Sequence, residues 1–171
     1  GPSWLNLYGH EVTLADGTCI DYDVLSLNSG PTQARDNLPG ARANALFVRP
    51  IESFIALWQR TRALADARAL DVVVVGGGAA GIEIALAVRR ALGLRCTLSL
   101  ICDGPLLPGH RVGARRHALA ALKRSGVLLL PGRCTAIEPW HVLVGATRVA
   151  CDVPIIAVGS RPTWKAEPKK N

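Results

Sequence analysis

The stretch Asp71-Val-Val-Val-Val-Gly-Gly-Gly-Ala-Ala-Gly-Ile-Glu-Ile-Ala-Leu-Ala-Val88 decides how this chain folds. Its four consecutive valines, residues 72–75, predict a buried strand of a parallel sheet, because both faces of such a strand are covered. Glycines with G-x-G-x-x-G spacing follow, and an apolar helix begins directly after them. A strand, a glycine-rich turn and a helix in this order predict a βαβ unit that binds a dinucleotide.

Three glycines of the turn have distinct physical roles. Gly76 permits the tight turn, Gly78 lets a pyrophosphate approach the backbone, and Gly81 lets the helix pack closely on the strand. The unpaired N–H groups and the positive end of the helix dipole then face the phosphates. The candidate cofactor-binding residues of the turn are Gly76, Gly77, Gly78, Ala79, Ala80 and Gly81. The alternative interpretation is a glycine-rich turn that binds nothing.

The composition fits a globular chain with one domain, or one domain with pieces of another. Of the 171 residues, 49% are hydrophobic, so a sizeable core is available. Residues 1–43 hold two basic and five acidic side chains, whereas the remainder holds 18 basic and eight acidic ones. The basic stretch at 111–133 lacks any nucleic-acid motif, so we predict a solvated helix face and no nucleic-acid partner. Five scattered cysteines predict reduced thiols in a cytoplasmic protein and no metal site.

The rest of the chain predicts a Rossmann-like, three-layer α/β domain with a parallel sheet and an added β-meander. Predicted strands cover residues 5–7, 12–14, 23–30, 97–101, 127–130 and 154–159, with a hairpin or meander at 137–151. Predicted helices run from Pro50 to about Arg68, from the glycine-rich turn to about Gly93, and over 112–124. Residues 31–46 are rich in turn formers and predict a linker.

Two segments that flank the βαβ unit share one plan, in which an Asp precedes an apolar strand that ends in Gly. The first runs from Asp23 to Gly30 and the second from Asp152 to Gly159. This order resembles the pyridine nucleotide–disulfide oxidoreductase superfamily, in which an NAD(P)H domain interrupts an FAD domain. The residues that carry the resemblance are Ala15-Asp16-Gly17, Tyr22-Asp23, Leu25, Asp71 to Ala85, and Cys151-Asp152 through Ala157, Gly159 and Pro162.

Within that superfamily the chain resembles type II NADH dehydrogenases and their relatives, including the flavoprotein module fused to selenophosphate synthases. Pro50-Ile51, Phe54 and Trp58 are similar to one segment of that module, and residues 106–110 to another. Residues 25–30 depart from the family's usual Ala-Thr-Gly ending. The FAD fingerprint, the C-terminal Gly-Asp motif and the redox C-x-x-x-x-C pair of the superfamily are not found in the sequence.

The sequence contains no Met and opens with Gly1-Pro2, which resembles the remnant left by a tag-removing protease. We therefore expect a piece of a longer protein. The resemblance implies that residues 1–43 are a fragment of FAD-domain β structure and linker, and that residues 44–151 are the NAD(H)-binding domain. Residues 152–171 would be the return strand toward the FAD domain and a frayed tail.

The implied function is to position nicotinamide for hydride transfer to FAD in an FAD-dependent NADH oxidoreductase, with the piece inactive alone. NADH and the missing FAD-domain segments are the implied partners. Three properties of the parent protein stay open: its electron acceptor, its oligomeric state, and its peripheral association with the cytoplasmic face of a membrane. A non-catalytic dinucleotide-binding or redox-sensing module is the alternative.

The resemblance also extends the candidate site, in which no residue is predicted to be catalytic. Glu83 lies where the family has a Glu near the nicotinamide, although the helix dipole equally favours an acid there. In the family, an acidic residue at the end of the second parallel strand accepts hydrogen bonds from the adenosine ribose. In this sequence either Cys102 or Asp103 holds that position. We predict a preference for NAD over NADP. A basic residue near this loop would favour the 2′-phosphate of NADP, and Arg111 is the nearest one downstream. Two strand ends complete the site near nicotinamide and flavin: Val158, Gly159 and Ser160, and Asn28, Ser29 and Gly30.

Overall fold

The computed structural model describes residues 2–6, 8–26, 31–33, 37–48 and 51–162. The described strands are β1 (Pro2–Asn6), β2 (Glu11–Leu14), β3 (Cys19–Asp21), β4 (Pro31–Gln33), β5 (Leu46–Phe47), β6 (Leu70–Val75), β7 (Cys96–Cys102), β8 (Leu128–Pro131), β9 (Cys134–Glu138), β10 (His141–Val144), β11 (Thr147–Ala150), β12 (Val153–Ile156) and β13 (Ser160–Pro162). The described helices are α1 (Ala41–Asn44), α2 (Ile51–Ala67), α3 (Ala79–Leu92) and α4 (Val112–Arg124).

The chain divides into two compact units, Gln33–Gly159 and Gly1–Thr32 with Ser160–Asn171. The larger unit includes β12, which pairs in parallel with β5 and β6. It also includes residues 37–47, of which Ala41 is fully buried, and Ile137 donates its N–H to the carbonyl of Pro39 at 2.9 Å. The assignment of FAD-domain and NAD(H)-domain segments with boundaries after residues 43 and 151 stays a prediction.

The larger unit is built on a five-stranded sheet with the order β5-β12-β6-β7-β8. Every ladder in it is parallel, and β6 lies at the centre between β12 and β7. Helices α2, α3 and α4 connect β5 to β6, β6 to β7 and β7 to β8, and each connection runs in the same direction across the sheet, the first of them passing over β12. Since parallel crossovers are right-handed, the three helices lie on one face. The connection from β8 back to β12 is the antiparallel meander β9-β10-β11.

The four valines of β6 show how the sequence fills two cores. Val72 and Val74 pack with the helices, in a cluster that includes Ile82 of α3 and Leu122 of α4. The alternate residues 73 and 75 pack with the meander, in a cluster that includes Ile137 and Val142. Each buried valine contributes roughly 1.5–3 kcal/mol. The predicted three-layer architecture of helices, parallel sheet and meander is thus confirmed.

Several predicted elements agree closely with the structure. Helix α4 has the predicted bounds, and α2, α3, β7 and β8 differ from theirs by one or two residues at each end. The meander is three-stranded and begins earlier than predicted, at Cys134. The predicted strand at 23–30 is wrong for residues 23–26, which form a bend and irregular backbone, and residues 27–30 lie outside the described chain. The predicted linker at 31–46 contains β4 and α1.

In the smaller unit, β1, β2 and β3 form an antiparallel sheet, and β4 pairs with β13. The turn between β2 and β3 contains Asp16 and Gly17: Gly17 has φ +88°, and the N–H of Thr18 donates to Asp16 Oδ1 at 3.0 Å. None of the helices in the described part of the chain is long and apolar enough to cross a membrane.

At the start of β12, one carboxylate joins three segments of the larger unit. Arg68 Nη2 and Nη1 donate to Asp152 Oδ1 and Oδ2 at 2.7 and 3.0 Å. The N–H of Asp71 donates to the same Oδ2 at 2.8 Å, and the N–H of Asp152 donates to the Asp71 carbonyl at 2.7 Å. The Arg68 bond, with the backbone bond, lowers the pKa of Asp152 below its ordinary value of 3.8.

We expect Asp152→Ala to lower the melting temperature at neutral pH by about 2–4 °C. Because the folded pKa is lowered, this stabilisation is present above the unfolded pKa and is lost as pH falls through the folded pKa. The melting temperatures of both proteins should therefore begin to converge as pH falls below 3.8 and should meet only below the lower, folded pKa. Asp66→Ala is the control, since its ion pair with Arg95 joins two exposed side chains. An equal loss in the control, or a gap that persists in acid, would contradict the role assigned to Asp152.

Candidate cofactor site

The glycine-rich turn between β6 and α3 needs two of its glycines for the protein's own packing. Gly76 has φ +130°, and a Cβ there would lie 2.7 Å from the carbonyl oxygen of Ala157. A Cβ on Gly81 would collide with the carbonyl oxygen of Gly76. These two positions explain the tight turn and the close packing of the helix on the strand, as the sequence predicts.

Gly78 is different, because none of the described residues around it requires it to be glycine. Its φ of −79° and ψ of −179° are extended backbone that any residue adopts. A Cβ there would meet no atom of the described part of the chain within 4 Å. The position is the N-cap of α3, so a side chain would project into the space in front of the helix N-terminus. The missing side chain leaves room that a phosphate group fits.

Hydrogen-bond donors face this space. The first turn of a helix has N–H groups without intrahelical partners, and Gly78 as N-cap offers no side chain to satisfy them. Ala79 and Ala80 are exposed at the start of the helix. The turn itself is anchored, since the N–H of Gly76 donates to the Ile101 carbonyl at 2.9 Å. A fixed turn with open donors is suited to binding an anion.

A cavity of about 540 Å³ opens beside this turn, within the larger unit. Most of its lining comes from the carboxyl ends of β5, β6, β7 and β12 and from residues that follow β6, β7, β8 and β12, and Asn37 and Leu38 complete it. Ligands of open α/β sheets bind at this edge, outside the carboxyl ends of the strands. The glycine turn contributes residues 76–78 to the lining, and Val158 and Gly159 line it after β12. The structure thus brings the fingerprint and one predicted strand end together.

The structure separates the two candidates for the ribose-binding position. Cys102 is buried on the helix side of the sheet, and a Cβ on Gly77 would lie 2.5 Å from its Sγ. Burial raises the pKa of this thiol. Asp103, the next residue, lines the cavity with 68% of its side chain exposed. Asp103 is therefore the residue whose carboxylate can reach a ligand there.

A basic residue that the sequence analysis did not single out for the site lies beside Asp103. Arg133 follows β8 and lines the cavity, with its Nε 4.0 Å from Asp103 Oδ2. Arg111, expected from sequence to be the nearest base, is the N-cap of α4 and does not line this cavity. Arg133 follows a predicted parallel strand, and the rule that ligands bind at strand ends is the signal that could have found it.

A model of the pyridine nucleotide-disulphide oxidoreductase family matches residues 5–170 of the chain. The chain belongs to this family. Family members use NAD(P)H and FAD, so the predicted enzyme class and cofactors are confirmed at the level of the family. The resemblance to NADH dehydrogenase-like members is confirmed as well.

Curated relatives from the family are similar over part of their length. A demethylphylloquinone reductase of Synechocystis is 31% identical over 63% of this chain and 28% of its own. The ferredoxin–NAD(+) reductase component of the biphenyl dioxygenase system of Paraburkholderia xenovorans is 30% identical over 94% of this chain and 40% of its own. This chain thus spans less than half the length of either relative.

A solved structure shows the same fold. The ferredoxin reductase of Rhodopseudomonas palustris superposes with a TM-score of 0.73 over 95% of this chain and 41% of its own, at 22% identity. The likeness supports a Rossmann-like architecture with additional antiparallel strands.

The other predicted site residues are placed as follows. Glu83 is exposed on α3 and is not part of the cavity wall formed by the described residues. Ser160 begins β13 in the smaller unit, and Asn28, Ser29 and Gly30 lie outside the described residues. Cys134 also lines the cavity, and burial raises the pKa of its thiol to about 11, so it stays protonated at neutral pH.

Proposed function

We propose that this chain is the NAD(H)-binding part of an FAD-dependent NADH oxidoreductase and positions nicotinamide for hydride transfer to the flavin. The observation that carries the proposal is Gly78: the protein leaves open space at the one glycine where a pyrophosphate would need it. The cavity at the strand ends and the family membership support it.

The residues of this chain would hold the cofactor by its three parts. The N–H groups of Gly78, Ala79 and Ala80 would bind the pyrophosphate at the N-terminus of α3. Asp103 would accept hydrogen bonds from ribose hydroxyls at the adenosine end. Gly159, which lacks a side chain and whose Cβ position is open, would leave room for the nicotinamide end.

Bound NADH would supply a hydride, and the flavin of the parent protein would receive it. No side chain of this chain is proposed to transfer a proton. The chain contributes by orienting the nicotinamide relative to the flavin. The entropic cost of bringing the two groups together is then met by binding and not in the reaction step. The piece alone would therefore bind cofactor without turnover.

The relatives point to two classes of final electron acceptor. One is named for a quinone and the other for a ferredoxin, so the acceptor of the parent protein is not decided by membership in the family. We propose that the acceptor meets the flavin through parts of the parent protein outside this chain. A cytoplasmic location follows from the five free thiols and is proposed on that ground.

Titration calorimetry of the 171-residue chain with NADH and with FAD tests the proposal. We expect weak but saturable NADH binding and almost no FAD binding, because the sequence has one dinucleotide fingerprint and lacks the second. Nicotinamide mononucleotide serves as a control, since it lacks the adenosine end and should bind more weakly than NADH. Tight, stoichiometric FAD retention through purification would overturn the assignment, and so would failure to bind NADH.

A further inference from the structure

The loop between β7 and α4, residues 103–111, contains a leucine in an unusual conformation. Leu107 has φ +50°, in the left-handed region that non-glycine residues adopt at an energetic cost. It is nevertheless buried, with 8% exposure, and packs in the core beside α3. A strained residue persists only where its surroundings hold it, and such residues cluster at functional sites.

The strained residue is bonded directly to the glycine-rich turn. The N–H of Leu107 donates to the carbonyl oxygen of Gly77 at 2.8 Å. In a planar trans peptide the C=O and the following N–H point in opposite directions. Fixing the Gly77 carbonyl toward the loop therefore fixes the Gly78 N–H away from the loop. Both glycines line the cavity, so this one peptide orientation decides where the Gly78 donor points.

The carbonyl of Leu107 is held in turn from α4. Arg115 Nε donates to it at 3.2 Å, and the N–H of His110 donates to it at 3.1 Å. Arg115 is half-buried, whereas its neighbour Arg116 is exposed. The chain of contacts thus runs from Arg115 through Leu107 to Gly77 and ends at the predicted pyrophosphate donor.

We infer that Arg115 is a positioning residue for the cofactor, which sets the Gly78 N–H through Leu107 without touching the ligand. This inference rests on the proposed NAD(H) site and extends it to a residue of α4. It explains why a leucine is kept in a strained conformation at this point, since relaxing it would release the Gly77 carbonyl.

The test compares three variants of the chain: Arg115→Ala, Arg115→Gln and Arg116→Ala. Glutamine carries its Nε2 at the same number of bonds from Cα as arginine carries Nε, so it retains a donor for Leu107 but removes the charge. Arg116→Ala removes an equal charge one residue away without removing the Leu107 bond. Calorimetry gives NADH affinity, and ¹⁵N–¹H spectra of the unliganded chain give the amide resonance of Gly78.

We expect Arg115→Ala to weaken NADH binding about fivefold, as loss of one supporting hydrogen bond allows, and to move the Gly78 amide resonance. Arg115→Gln should restore both, and Arg116→Ala should change neither. A glutamine variant as weak as the alanine variant, or an equal loss in Arg116→Ala, would show that charge is responsible and would overturn the inference. NADH binding that is unchanged in Arg115→Ala overturns the inference alone, whereas an unaltered chain that binds no NADH overturns the proposed function with it.

Discussion

Gly78→Val should abolish most NADH binding while leaving the fold intact. A valine suits the extended backbone at this position, and its Cβ would contact none of the residues that the structure describes within 4 Å. The same side chain would occupy the space in front of the helix N-terminus where the pyrophosphate is proposed to lie. Losing two hydrogen bonds to a charged group corresponds to roughly a hundredfold loss of affinity.

Calorimetry measures the NADH affinity of the variant, and thermal melts show whether its fold is intact. Gly113→Val in α4 is the matched control: its Cβ also meets open space, but the residue does not line the cavity. That variant should bind NADH normally. Gly81→Val should instead fail to fold properly, because its side chain meets the Gly76 carbonyl. If the Gly78→Val variant binds NADH as tightly as the unaltered chain, the cofactor does not bind at this turn.

The central part of this fold could be predicted from the sequence because its signals are local and mutually consistent. Four β-branched residues before a glycine-rich turn specify a buried parallel strand, and the period of 3.6 specifies the helices that cover it. The structure confirms this at β6 and α3. Residues 23–26 were predicted as strand from an apolar pattern alone, and such a short pattern does not determine whether a partner strand is available.

The sequence alone does not determine which residue at the end of a strand is buried and which is exposed. The side-chain period of a strand is two, so a shift of one residue exchanges a buried position for an open one. The choice between Cys102 and Asp103 depended on such a shift, and only the register of β7 with β6 places the cysteine under the turn. Arg133 and Leu107 were missed for a related reason, since tertiary packing and a positive φ bring them to the site.

Cofactor preference should depend on the pair that the structure places at the adenosine end. We expect the chain to bind NADH more tightly than NADPH, because the Asp103 carboxylate accepts bonds from ribose hydroxyls and repels a 2′-phosphate. Asp103→Ala should weaken NADH binding about tenfold, the lower range for a charged hydrogen bond, since the side chain is largely exposed.

The same substitution should strengthen NADPH binding, because it frees Arg133 Nε, now 4.0 Å from the carboxylate, to pair with the 2′-phosphate. Adding Arg133→Ala to Asp103→Ala should remove that gain, whereas adding Arg111→Ala should leave it, since Arg111 does not line the cavity. Calorimetric affinities of both nucleotides for the unaltered chain, Asp103→Ala, Arg133→Ala and the double variant of these two residues form a cycle that isolates the coupling. If Arg111→Ala rather than Arg133→Ala removes the gain, the base expected from sequence alone is the one that recognises the phosphate. If Asp103→Ala keeps the full preference for NADH, the Asp103 carboxylate does not set that preference.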